Sequence, residues 1–199
     1  GNDKIVIPDR PSLAGEESLS VFLWYLNLDT SATPSLGLIA KSDPFVAEGW
    51  RFWTEVGSQI RVSMVNQQGD GTLHGDGFLS KHSEWVHVGF TFGEGRTAVF
   101  ENGVLVDQNN GGAGLINYGN GSNITIGFVH RWFLNGQVDD VRIYDRALSA
   151  KEVTALYELE NVPVPNQPPA FSKGSVTVNA AENQVVATKL WPPTSIGIV

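Results

Sequence analysis

The stretch Asn135–Tyr157, NGQVDDVRIYDRALSAKEVTALY, contains the most informative pattern in this chain of 199 residues. Its first part, Gln137–Tyr144, has the two-residue period of a β-strand, in which successive side chains point to opposite faces. Strict alternation predicts one face with Val138, Asp140, Arg142 and Tyr144, and the other with Asp139, Val141 and Ile143. The stretch therefore begins with a predicted strand.

A short helix is predicted directly after this strand. Ser149-Ala-Lys-Glu152 is a capping box, in which the serine oxygen accepts a helix amide and the glutamate reaches back to the cap. Apolar residues then recur at helical spacing: Val153, Leu156 and Tyr157. We expect one amphipathic helix near residues 149–158, packed on the edge of the domain.

Two adjacent acids, Asp139 and Asp140, interrupt the predicted strand. Aspartate disfavours strands, so some interaction has to offset its presence there. A hard cation with oxygen ligands is one such interaction. The alternative is that both acids are solvated or paired with Arg142 and Arg146.

Composition indicates a globular domain and excludes several classes of function. Hydrophobic residues make up 41% of the chain, with six Trp, ten Phe and four Tyr, which is enough for a core. No run approaches the roughly 18 apolar residues of a membrane span. A formal net charge of −8 argues against nucleic acid and anionic membranes as partners. The absence of cysteine excludes disulfides, thiolate metal sites and cysteine nucleophiles.

Strand signals recur at short spacing along the first 144 residues, whereas only one convincing helix is present. Asn102-Gly103 is the strongest hairpin signal and predicts a type I′ turn between two strands. Gly57-Ser58 predicts a second hairpin turn. The pattern is typical of an all-β sandwich.

Three further runs, together with residues 135–157, resemble LamG-like jelly-roll domains of the concanavalin A-like lectin/glucanase superfamily. They are IVIPDRPSL at 5–13, SVFLWYLNL at 20–28 and EWVHVGFTFGEGRTAVFENGVLV at 84–106. The resemblance covers about residues 1–158. It implies an all-β, two-sheet antiparallel jelly-roll sandwich with one short C-terminal helix, and we assign residues 1–160 to this domain.

The composition of the sequence changes after Glu160. Residues 161–169, NVPVPNQPP, form a predicted proline-rich linker. Residues 170–187 resemble the first strands of a cadherin-like or Ig-like repeat. Because a complete sandwich of that kind needs about 100 residues, we interpret residues 170–199 as a fragment, which predicts further domains in the parent chain.

The LamG-like resemblance implies a structural Ca²⁺ ion. Related jelly rolls hold calcium between an acid on the last strand and oxygens near the N-terminus. By this resemblance Asp139 is the best side-chain ligand, with Asp140 beside it, and Asn2 and Asp3 would supply further oxygens.

Aromatic side chains suggest where a sugar would bind, because sugars stack on flat rings. On the strand at residues 50–56, Trp50 and Phe52 share one face while Arg51 and Trp53 share the other. At least one tryptophan should therefore lie on an open face. His130-Arg131-Trp132 falls in a predicted loop before the last strand, so the candidate ligand residues are Trp132, His130, Arg131 and Trp53. The alternative is that these aromatics belong to the core, as most do.

The sequence contains no recognisable catalytic constellation. The Glu-x-Asp-x-Glu spacing of glucanases is absent, as are a nucleophile elbow, a P-loop and a dinucleotide fingerprint. A catalytic role for two distant carboxylates, such as Glu55 and Glu84, is left open by the sequence. His87 alternates within a strand, which favours a structural role.

We therefore predict a non-catalytic, calcium-containing recognition module, not an enzyme, within a larger secreted or cell-surface protein. Its expected partner is a glycan or glycoprotein, with neither nucleic acid nor membrane insertion. One alternative is a protein-binding or spacer module of a bacterial adhesin without a sugar site. A second alternative is a glycoside hydrolase or polysaccharide lyase.

Overall fold

The structure, a computed structural model, describes residues 3–29, 35–43, 48–55, 59–66, 71–74, 83–109, 114–119, 121–161 and 184–186. These residues form two six-stranded antiparallel sheets, a two-stranded hairpin and one α-helix. The predicted two-sheet antiparallel sandwich with one helix is confirmed.

The strands follow in this order: β1 (Ile5–Ile7), β2 (Leu19–Asn27), β3 (Leu36–Lys41), β4 (Trp50–Glu55), β5 (Gln59–Val65), β6 (Gly71–His74), β7 (Trp85–Gly93), β8 (Arg96–Glu101), β9 (Val104–Asn109), β10 (Ile124–Ile126), β11 (Phe128–Val129), β12 (Trp132–Phe133), β13 (Gly136–Tyr144) and β14 (Gln184–Val186). The first sheet has the order β1-β10-β3-β4-β5-β6, and the second has the order β14-β13-β2-β7-β8-β9. The turn between β8 and β9 has positive φ at both Asn102 and Gly103, as the predicted type I′ turn requires.

The main core lies between the inner faces of the two sheets. Trp50 and Phe52 of β4 are fully buried there. Both rings meet Phe90 of β7 edge-to-face, with centroid distances of 5.6 and 5.5 Å. Because both rings contact the same phenylalanine, the prediction that Trp50 and Phe52 share a face is confirmed. Edge-to-face pairs of this kind stabilise the core beyond the effect of their buried area.

Strand β13 does not alternate strictly, because it contains a β-bulge at Asp139–Arg142. Asp140 has a φ of +45° and is the extra residue relative to β2. The bulge resets the alternation, so Val138, Val141 and Ile143 all pack on the main core. The sequence-based prediction that Val138 lies opposite to Val141 and Ile143 was therefore wrong.

Helix α1 (Ala150–Glu160) begins at the predicted capping box. The Ser149 hydroxyl accepts the Glu152 amide, and the Glu152 carboxylate accepts the Ser149 amide at 2.8 Å. The helix buries Val153 and Leu156 in a second cluster with residues of β2 and β8: Phe22, Ala98 and Phe100. The helix therefore covers the outer face of the second sheet, where these apolar side chains lie, and not the edge of the domain as predicted.

Beyond the helix, the structure describes Asn161 and strand β14. The backbone of β14 pairs antiparallel with β13, with Val186 opposite Arg142, so it adds an outer strand to the second sheet. The rest of the predicted linker and of the cadherin-like or Ig-like fragment lies outside the described residues, as does the predicted Gly57-Ser58 turn. Helix α1, at 11 residues, is too short to cross a bilayer, and the described residues contain no longer apolar helix.

Candidate functional site

The hairpin of β11 and β12 lies on the outer face of the first sheet. Its turn is His130-Arg131, and His130 has a φ of +57°. Gly37 of β3 permits the close approach, because a Cβ there would lie 2.3 Å from the Val129 nitrogen and 2.4 Å from the Trp132 oxygen. A residue with a side chain would therefore displace the hairpin. The predicted loop before the last strand is in fact this hairpin.

Trp132 stacks on Trp53 at the base of the hairpin. Their ring centroids are 6.2 Å apart and the planes differ by 16°. The pair packs with Ala40 and Val129 in a separate apolar cluster. Trp53 is only 8% exposed, so the expectation of an open Trp53 platform is corrected. Trp132 is half-buried and supplies the aromatic surface that faces outward from this stack.

His130 and Arg131 flank the same indole. The exposed Arg131 guanidinium lies 5.3 Å from the Trp132 ring centroid, and the His130 ring lies 5.6 Å from it. The fold thus brings together all four predicted ligand residues, although Trp53 is far from the others in sequence. Antiparallel pairing of β3 with β4 places Trp53 opposite Gly37, directly under the hairpin.

A polar groove of about 540 Å³ lies beside the hairpin. Its lining residues come from four separate parts of the chain: Lys4, Val6, Ser42, Asp43, Glu48, Gly119, Gly121, Ser122, Asn123 and Thr125. Thr125 pairs with Ala40 in the sheet and donates its hydroxyl to the Phe128 carbonyl at 2.8 Å. The groove and the hairpin therefore share one face. Sequence analysis did not predict the groove, and the Gly/Asn-rich segment at 117–123 was the only local signal.

A buried lysine anchors Ser122, one of the residues that line the groove. The Lys41 side chain is 1% exposed, pairs with Asp9 and donates to the Ser122 carbonyl at 2.7 Å. Its ammonium also lies 5.0 Å from the Tyr118 ring centroid, and burial raises the pKa of that tyrosine. A buried charge needs partners of this kind, so Lys41 serves to hold the surrounding loops.

The predicted calcium ligands lie in different sheets. Asp139 belongs to β13 of the second sheet, and its carboxylate accepts the Asp140 amide at 2.9 Å. Asp3 precedes β1 of the first sheet and is exposed, whereas Asn2 lies outside the described residues. Carboxylates suit Ca²⁺ in kind, but no group of three or more His, Cys, Asp or Glu side chains fit for a metal occurs in the described part of the chain. Calcium stays a prediction, and carbonyl oxygens or water would have to complete its shell.

A second set of polar side chains is buried between α1 and the second sheet. The Glu160 carboxylate pairs with Arg142 and accepts the Trp24 indole N–H at 2.9 Å. His87 is fully buried and packs against the rings of Phe22 and Trp24, at 5.5 and 5.3 Å. Because α1 covers these groups, they serve the fold, as sequence analysis predicted for His87.

The acids Glu55 and Glu84, considered above as a possible catalytic pair, are associated with different sheets. Glu55 ends β4 of the first sheet and forms an ion pair with Arg61 at 2.8 Å. Glu84 is exposed and precedes β7 of the second sheet.

Comparison with known proteins agrees with this architecture. The family model Laminin_G_3, described as the concanavalin A-like lectin/glucanases superfamily, matches residues 1–154. None of the curated proteins matches the chain.

Several solved structures share the fold at low identity. They include the binding domain of botulinum neurotoxin DC in complex with rat synaptotagmin II, at TM-score 0.63 and 16% identity over 80% of this chain and 40% of that one. The same toxin domain in complex with SialylT gives TM-score 0.62, 16% identity and the same coverage. The binding domain of Paraclostridial Mosquitocidal Protein 1 gives TM-score 0.60 at 16% identity, covering 79% and 41%. The chain thus spans about 40% of each of these binding domains.

Proposed function

The chain belongs to the concanavalin A-like lectin/glucanases superfamily through residues 1–154, and from this premise we propose that it is a non-catalytic, carbohydrate-binding module of a larger extracellular protein. Function within a shared fold depends on the sites that each chain carries. The proposal therefore depends on the outer face of the first sheet.

The observation that carries the proposal is the stack of Trp132 on Trp53, flanked by Arg131 and His130. A sugar ring can lie on a flat indole that is already held in place, so little side-chain entropy is lost on binding. Arg131 is exposed and offers several N–H donors in a planar fork to hydroxyl or carboxylate oxygens. Flat contact area next to oriented donors is the chemistry that a glycan requires.

The solved structures of similar fold support a glycan or glycoprotein as the partner class. The binding domain of botulinum neurotoxin DC, which has this fold, is in complex with SialylT in one structure and with rat synaptotagmin II in another. We extend this to the present chain as part of the proposal, together with a secreted or cell-surface location and a structural calcium ion at Asp139.

A glycoside hydrolase is the second candidate, because two carboxylates, Asp43 and Glu48, line the groove beside the hairpin. Paired acids in a cleft are the machinery of such enzymes. Release of reducing ends from oligosaccharides, abolished by Asp43→Asn, would establish this candidate and replace the non-catalytic proposal.

A glycan array with and without calcium tests the proposed function. We expect the domain to bind a defined set of glycans, and Trp132→Ala to weaken binding about tenfold or more, equivalent to about 1.4 kcal/mol. Trp132→Phe, which keeps a flat ring, should retain more of the affinity, and Val104→Ala on the opposite sheet should change nothing. Thermal unfolding of each variant shows whether it is folded. A folded wild-type domain that binds no glycan would favour the protein-binding or adhesin-spacer alternative.

A further inference from the structure

We infer that the groove beside the hairpin is a second sugar subsite, and that it takes an uncharged hexose unit. The inference rests on the proposed function, since it extends the same ligand surface beyond Trp132. The groove volume of about 540 Å³ falls within the range of roughly 300–1,000 Å³ that is typical of small-ligand clefts. It is therefore large enough for part of an oligosaccharide.

The groove and the hairpin form one continuous surface. The Lys4 ammonium, at the groove, lies 4.5 Å from the ring centroid of Phe128 in β11. Thr125 lines the groove and donates its hydroxyl to the Phe128 carbonyl. The groove therefore adjoins the hairpin at Phe128.

One wall of the groove is built by close packing of a glycine loop against Glu48. Gly119 has a φ of +57°, and a Cβ there would lie 1.9 Å from the Glu48 Oε2 atom. The Ser122 hydroxyl donates to the other oxygen of the same carboxylate. The hydrogen bond from Ser122 orients Glu48, and the positive φ at position 119 favours glycine, because a side chain there would be strained and would displace the Glu48 carboxylate.

The adjoining wall is held by Asp9 and Lys41. Lys41, which is almost completely buried, pairs with Asp9 and donates to the Ser122 carbonyl. The Asp9 backbone amide donates to the Asn123 Oδ1 atom at 3.0 Å. Ser122 and Asn123 are therefore fixed by groups of the protein before any ligand arrives, which reduces the entropy cost of binding.

The groups that remain available match the hydroxyls of a sugar. Asn123 uses its oxygen for Asp9, and its amide nitrogen has no partner within the described residues, so it can donate. Lys4 is exposed and can donate as well, while the Glu48 carboxylate can accept. Val6, at 45% exposure, offers an apolar surface to C–H groups. Sugar hydroxyls both donate and accept, so this mixture suits them.

The charge of the groove favours an uncharged unit. Asp43, Glu48 and Lys4 all line the groove, so two carboxylates outnumber one ammonium group. Arg51 is directed to Ser42 and to the Asp43 carbonyl, at 3.0 and 2.9 Å. An acidic sugar would be repelled here, and such repulsion is a source of specificity. Arg131 and His130 on the hairpin would tolerate an acidic unit, so the two subsites differ in chemistry.

The test is an NMR titration of the isotope-labelled full chain with lactose, cellobiose, maltose and mannobiose, and with sialyllactose as the acidic probe. We expect at least one uncharged disaccharide to shift the amide signals of Gly119, Ser122 and Asn123. Asn123→Asp keeps the oxygen that Asp9 requires but removes the NH₂ donor, so it should weaken that binding about tenfold. Glu48→Gln should also weaken it while keeping the Ser122 contact, and Glu158→Gln on the exposed face of α1 is the control.

The possible outcomes separate the subsite from the proposed function. Shifts confined to residues 128–133, or binding that Asn123→Asp leaves unchanged in a folded protein, would overturn the groove subsite and leave the hairpin site standing. Shifts in the groove that persist in Trp132→Ala would support the subsite. If none of these sugars shifts any amide, the groove subsite is overturned and the glycan array decides the function alone.

Discussion

Glu160, the last residue of α1, has a side chain that is only 3% exposed. Burial raises the pKa of this carboxyl group, whereas Arg142 and the Trp24 indole N–H oppose that shift by stabilising the charged form. An unpaired carboxylate would cost several kcal/mol at such a site. The pair and the hydrogen bond therefore fix the last turn of the helix to β13 and β2. Sequence analysis missed this contact because Glu160 precedes a predicted linker and shows no pattern of its own.

His87 lets this buried cluster be tested by pH. Burial, with a smaller contribution from Arg142, lowers the pKa of His87 to about 4 from 6.5. Between pH 6.5 and 4, His87 is therefore protonated in the unfolded chain but neutral in the folded protein. As the pH falls through this range, His87 lowers the free energy of unfolding by up to about 3 kcal/mol. Glu160 acts in the opposite direction, since its raised pKa favours the folded state on acidification.

We expect His87→Phe to remove the histidine contribution while keeping a ring among Phe22, Trp24 and Tyr157. Urea unfolding at a series of pH values measures it. The free energy of unfolding of the variant, minus that of the wild type, should increase as the pH falls from 6.5 to 4 and should be constant above pH 7. A difference that is the same at every pH would mean that His87 is not buried in its neutral form.

At the scale of elements, helix α1 and the hairpin β11–β12 cover opposite outer faces of the sandwich. The helix has a capping box and an apolar stripe, so it could be predicted from local sequence. Each hairpin strand has only two residues. Alternation cannot identify a strand of two residues, and the hairpin stays in place through Gly37 and Trp53 of distant strands.

Two leucines of α1 form a matched pair for testing how the helix docks. Leu156 is buried with Phe22 and Phe100, whereas Leu159 is 70% exposed. Leu156→Ala should lower the free energy of unfolding by about 2–5 kcal/mol, because it leaves a cavity in the cluster. Leu159→Ala should change it by less than about 0.5 kcal/mol. Equal effects of the two variants in thermal or urea unfolding would show that the helix does not dock on this face.

At the scale of the whole molecule, the first sheet carries the proposed ligand surface and the second carries α1 and the acidic bulge of β13. The main core joins the two sheets from both inner faces. A calcium ion between Asp139 and oxygens around Asn2 and Asp3 would add a second connection, from the last strand of the jelly roll to its first. This ion would stabilise the sandwich.

We expect excess chelator to lower the melting temperature, since an ion that binds only the folded state stabilises it by about 2.7 kcal/mol at one hundred times its Kd. Asp139→Asn should reproduce most of this loss and should make the protein insensitive to chelator. Asp145→Asn, at an exposed position three residues beyond Arg142, is the control. A wild-type melting curve that chelator leaves unchanged would leave the two acids of the bulge without a calcium role.

The features that the sequence determined by itself are those that depend on neighbouring residues. The strand period, the Asn102-Gly103 turn and the Ser149–Glu152 cap each depend on residues within a few positions of one another, so the sandwich and its helix could be predicted. Tertiary structure decided the rest. The bulge at Asp140, the burial of Trp53 under Trp132 and the groove around Asn123 all depend on which distant strands meet. Because the exposure of a side chain depends on contacts between distant strands, no local sequence pattern could determine it.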